Sequence, residues 1–184
     1  MSHRVCPHWL GYFLVSPLRR IWHDPEAILR PYVTPGMTVL DVGSAMGFFT
    51  LPLAGMVGPN GRVVAVDVQE KMLQSLHRRA VKANVAERIV LRVCSPTSLG
   101  LVDLAGAADF AVAFAVVHEA PDSRALFGEL FRSLKHGARC LVAEPRGHVS
   151  EREFAQTLSA AEEAGFRVAG NPKITRCHAA LLVT

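Results

Sequence analysis

The 184-residue chain is predicted to fold as an α/β protein, a mostly parallel sheet doubly wound with helices on both faces and closed by an antiparallel last strand. Three observations support this. From Thr38 onward, apolar runs alternate with helical patterns, as βαβ units require. The runs are almost wholly Val, Ile, Leu, Ala or Phe, as in strands covered on both sides. The last two runs, "FRVAG" and "HAALLVT", are joined by only about eight residues around Asn171-Pro172, too few for a helical crossover.

The elements follow in order. The first 36 residues are rich in Pro and aromatics, and they are expected to form a lid or cover (1–36) on an α/β core (37–184) within one domain (1–184). Asp24 before Pro25 predicts an N-cap and a short helix over "PEAILR". Strands are predicted at 37–42, 62–67, 89–93, 109–114 and 138–143. Between them, Met72, Leu76 and Ala80, then Leu126, Leu130 and Leu134, then Phe154, Leu158 and Ala161 mark core-facing helix stripes, and Gly165 supplies a helix stop.

Half of the residues are hydrophobic and a fifth charged, which suffices for one sizeable core. The formal charge of +4, 20 basic residues against 16 acidic, is dispersed, with none of the basic and aromatic interleaving of a nucleic-acid groove. Cys6, Cys94, Cys140 and Cys177 are far apart and form no CxxC pair, so reduced thiols are expected. The segment "WLGYFLV" is too short for a membrane span, and no small-residue cleavage site precedes Pro17 and Arg19-Arg20. A soluble cytoplasmic protein without membrane or nucleic-acid partners is the expectation, and a homodimer is left open.

The stretch "TVLDVGSAMGFFTLPLA" carries the chemistry. A buried strand containing Asp41 breaks into Gly43 and Gly47 before a helix, which sets free N–H groups and the positive end of a helix dipole beside the loop. Gly43 suits the tight turn and Gly47 a close backbone approach. Asp67 closes the next strand where an acid receives ribose hydroxyls in nucleotide-binding α/β folds, with a helix-capping Asp as the competing reading. The spacing Gly43, Ala45, Gly47 suits one nucleoside with a small carboxylate better than a pyrophosphate.

With these residues, the sequence resembles the class I S-adenosylmethionine-dependent methyltransferases, and it is similar to the ubiquinone/menaquinone-biosynthesis branch. "VLDVGSAMG" looks like their first motif and "VVAVD" their second-strand acid; "ADFAVAFAVVHEAPD" and "LKHGARCLVAEP" resemble their fourth and fifth strands. The resemblance covers the chain after Pro31 and implies a Rossmann-like seven-stranded sheet with S-adenosyl-L-methionine as cofactor. Asp41, Gly43, Ser44, Ala45 and Gly47 would hold its methionine end, and Asp67 its ribose. Val68, Cys94 and Ser95 would lie against adenine, with Phe114 and Ala115 near the sulfonium. Two residues depart from the family pattern. Ala45 replaces a glycine, so the loop is expected to avoid positive φ there, and Ser95 stands in place of an acid.

Methyl transfer needs an aligned nucleophile and, where that nucleophile is protonated, a base. His118, Glu144 and Arg146 are the catalytic candidates, with Glu119 and His148 nearby; Arg146 is the expected partner of Glu144 or of a substrate carboxylate. No Asn/Asp-Pro-Pro-Tyr/Phe run is present, which argues against a nucleic-acid acceptor and leaves a small molecule as the expectation; Trp9, Tyr12, Phe13 and Trp22 are the available cover for it, with simple packing on the sheet as the competing reading. Three other readings are a metal or metalloid role for His3, Cys6, His8, Cys177 and His178, a non-catalytic cofactor binder, and a nicotinamide oxidoreductase. No resident metal is expected.

Overall fold

The computed structural model describes residues 22–184. Trp9, Tyr12, Phe13, His3, Cys6 and His8 lie outside them. The chain divides into two compact units, whose described parts are 22–94 and 95–184.

In the first unit, α1 (Pro25–Leu29) starts as its sequence predicts: Asp24 accepts a hydrogen bond from the Glu26 N–H at 3.0 Å, and Pro25 occupies the first turn. Strands β1 (Thr38–Val42), β2 (Arg62–Asp67) and β3 (Ile89–Val93) follow, with α2 (Thr50–Val57) and α3 (Glu70–Lys82) between them. β2 pairs in parallel with both neighbours: Asp41 opposes Ala65, and Asp67 opposes Val93. The expected stripe holds, since Met72, Leu76 and Ala80 are all buried on α3.

The second unit holds β4 (Ala108–Phe114), α4 (Ser123–Ser133), β5 (Leu134–Pro145), α5 (Glu151–Glu163), β6 (Arg167–Gly170) and β7 (Cys177–Val183). β4 and β5 are parallel, whereas β7 is antiparallel to both β5 and β6, as the short connection requires. Asp122 caps α4 by accepting from the Ala125 N–H at 2.9 Å. A reciprocal Ser150–Glu153 capping box starts α5. Leu134 is still core, but it begins β5 rather than ending α4: the strand starts four residues before the predicted 138, with a register shift between Ala108 and Phe110 and a left-handed turn at Gly137, φ +74°.

The whole is a seven-stranded, mostly parallel sheet of order β3-β2-β1-β4-β5-β7-β6, flanked by helices. The inner strands β1, β2, β4 and β5 supply much of the core, as their unbroken apolar runs demand.

Candidate active site

Seven polar residues are buried among those described: Asp41, Ser44, Thr50, Asp67, Ser75, Ser133 and Glu144. Ser75 and Ser133 bond back to carbonyls four residues earlier in their helices. Asp41, Ser44, Asp67 and Glu144 lie in or just after the carboxyl halves of β1, β2 and β5, where parallel sheets bind ligands, and Thr50 opens α2.

In the first unit, Oδ2 of Asp41 accepts from the Thr50 hydroxyl at 2.5 Å, which fixes the carboxylate at the entry of α2. Thr50 was missed in the sequence because a Thr opening a helix has no unique signature. Asp67 is held on both oxygens by backbone N–H groups, Oδ2 by Ala45 and Oδ1 by Gln69, each at 2.8 Å. Burial raises its pKa, while the Gln69 and Ala45 hydrogen bonds lower it. Thus Asp67 steadies the start of α3 and also ties β2 to the glycine loop.

The expectation for Ala45 is overturned, since it adopts φ +46°. The Asp67 carboxylate captures its N–H and compensates the strain that a Cβ carries there. Gly43, φ +72°, makes the tight turn. Gly47, φ +85°, does serve a close approach, but to a side chain: a Cβ would overlap Cδ1 of Leu76. The Ser44 hydroxyl, buried in the same loop, has no partner. Val68 and Cys94 are half-buried, and Ser95 is exposed with its hydroxyl accepting from the Thr97 N–H at 3.3 Å.

The second unit brings together His118 and Glu144. Nδ1 of His118 lies 2.5 Å from Oε2 of Glu144, a residue with no exposed surface; Oε1 accepts from the Val117 N–H at 2.8 Å. The His118 ring stays a quarter exposed and lies 5.8 Å from the ring of His148. Its pKa is raised, chiefly by the hydrogen bond to Glu144 against an opposing effect of burial. Arg146 is not the partner found for Glu144: it is exposed, and its Nε donates to the Cys177 carbonyl at 3.2 Å. Phe114 is buried at the end of β4, and Ala115 follows in the left-handed region, φ +57°, held by donation to the Ala143 carbonyl at 2.7 Å.

The arrangement fits an adenosyl amino acid in three respects: an unpartnered buried hydroxyl in the loop, an acid at the next strand end with lone pairs beyond its two backbone bonds, and a turn made by glycine. A methyltransferase-domain family profile matches residues 33–175. The chain belongs to the class I S-adenosylmethionine-dependent methyltransferases.

This methyltransferase domain is 33% identical to an arsenite methyltransferase of Halobacterium salinarum over 66% of its own length and 30% of the relative's. It is 29% identical to the ubiquinone/menaquinone biosynthesis C-methyltransferase UbiE of Brucella anthropi, over 77% of its length and 54% of that protein's. It therefore spans about half or less of these curated relatives. A SAM-dependent methyltransferase from Aquifex aeolicus superposes with a TM-score of 0.86 at 27% identity, covering 97% of this chain and 99% of that one. Among the described residues no cluster of three or more His, Cys, Asp or Glu could hold a metal ion, and no helix is long and apolar enough to cross a membrane.

Proposed function

We propose that this methyltransferase transfers a methyl group from S-adenosyl-L-methionine to a small-molecule acceptor, with His118 as general base and Glu144 as the residue that positions it. The observation that carries the reading is the 2.5 Å contact between His118 Nδ1 and the fully buried Glu144. A carboxylate that orients an imidazole through one nitrogen leaves the other, Nε2, to take a proton from a ligand. The family profile runs through both units, which supports their working as one domain.

The Ser44 hydroxyl and the backbone of Gly43, Ala45 and Gly47 would hold the methionine end of the cofactor, with Asp41 tied by Thr50 as the acid beneath them. Asp67 would accept from the ribose hydroxyls with lone pairs not used by Ala45 and Gln69. Val68, Cys94 and Ser95 would border adenine, and Phe114 and Ala115 the sulfonium. The bound cofactor supplies an electrophilic methyl carbon. His118 receives the acceptor's proton at Nε2, and Glu144 stabilises the imidazolium that results. Arg146 acts on the acceptor's charge rather than on Glu144.

Labelled-methyl transfer to a panel of small phenols, thiols and carboxylic acids tests this. Turnover is expected with at least one of them, and Glu144→Gln and His118→Asn should lower kcat by about 10²–10⁴-fold with cofactor affinity unchanged. Because hydrogen bonding to Glu144 raises the His118 pKa, wild-type turnover should still be rising with pH above the ordinary histidine range. Cofactor binding with no transfer to any acceptor would identify a binder instead.

A further inference from the structure

The second unit contains a cavity of about 690 Å³ that belongs to none of the residues assigned to the cofactor. It lies between the start of α5 and the β6–β7 connection, and it is large enough for a small organic molecule. Three exposed cations line it, Arg146, Lys173 and Arg176, against one carboxylate, Glu151. Phe154, Leu158 and Ile174 give it an apolar wall, and the His178 ring lies stacked on Phe154 with centroids 5.5 Å apart and planes at 23°. The wall is therefore flat and the rim positive.

Two features hold that rim in place. Arg146 donates from Nε to the Cys177 carbonyl, and its backbone N–H donates to the Arg176 carbonyl at 2.9 Å, so the segment after β5 is fastened to the segment before β7. Arg176 takes φ +59°, a conformation that glycine or asparagine adopts with less strain. The cavity also has a defined relation to the catalytic pair. His178 is the register partner of Glu144 across the antiparallel β5–β7 ladder, and directly opposed residues project from the same face about 5 Å apart. The cavity opens one strand away from the His118–Glu144 pair.

We infer that this cavity binds a small organic acid: its anionic group sits among Arg146, Lys173 and Arg176, and its apolar ring or chain lies on Phe154 and Leu158. The binding site itself rests only on the cavity and its charge.

Calorimetry with 1-naphthoate, its neutral amide and inorganic phosphate tests the inference, with S-adenosylmethionine titrated in parallel. Naphthoate should bind about tenfold more tightly than the amide, the difference expected of a charge-assisted hydrogen bond. Lys173→Glu should weaken naphthoate by a similar factor, Leu158→Asp should abolish its binding, and neither should alter cofactor affinity. Ring protons of His178 should shift on naphthoate addition while those of His77, on α3, stay put. Equal binding of naphthoate and the amide, or phosphate binding as tightly as naphthoate, would overturn the organic-acid site even if the cofactor binds normally. Charge-dependent naphthoate binding without cofactor binding would leave the site standing and overturn the methyltransferase reading.

Discussion

Asp67 shows how one carboxylate can fasten two separated segments of the fold. Its two oxygens fasten the Ala45 and Gln69 N–H groups, so the left-handed Ala45 is stabilised by a residue 22 positions later in the chain. Gly47 is constrained differently, by packing against Leu76. Gly47→Ala would add a Cβ into that side chain at φ +85°, and urea unfolding should show a loss of about 1–3 kcal/mol. His118 links protonation to stability. Its folded pKa lies above the unfolded value near 6.5, so its protonated form favours folding; that contribution is complete below pH 6.5 and is lost as pH rises through the folded pKa. Urea melts at about pH 5.5 and about pH 9 should therefore show a larger stability gap between wild type and His118→Asn at the lower pH.

At the scale of elements, the helix stripes, the cap at Asp24 and the stop at Gly165 follow from local chemistry. Gly165 is needed on two counts, since φ is +112° and a Cβ would stand 2.9 Å from two ring carbons of Phe131. Phe131 in turn packs edge-on against Phe166, at 5.3 Å between centroids. Gly165→Ala should then cost about 1–3 kcal/mol, and loss of near-ultraviolet aromatic signal should accompany it. The start of β5 was not legible in the same way. Leu134 continues the apolar spacing of Leu126 and Leu130, and only its pairing with Ala108 makes it a strand residue. Periodicity reports which positions are buried, but not whether the last of them lies on a helix or on the strand that follows.

For the whole molecule, a cofactor that binds only the native state should raise thermal stability in proportion to its excess over Kd. At S-adenosylmethionine concentrations of about 100 times Kd the gain is about 2.7 kcal/mol, which for a chain of this size is a melting-temperature rise of roughly 5–10 °C. Differential scanning calorimetry should record that rise, and NADH should not reproduce it.

The order of strands and helices, the antiparallel end of the sheet and the positions of Asp41, Gly43, Gly47, Asp67, His118 and Glu144 at strand ends were determined by the sequence alone, because alternation, connection length and glycine placement are local properties of a chain. Local pattern could not decide partnership. Proximity in sequence offers Arg146 as a partner for Glu144 or for a substrate carboxylate, yet the fold gives Glu144 His118, 26 positions away, and directs Arg146 to the Cys177 carbonyl. A Cβ disfavours positive φ at Ala45, yet the Asp67 carboxylate holds it there. In each case the deciding hydrogen bond joins residues that only the pairing and packing of distant strands bring within reach, and no spacing along the chain encodes that distance.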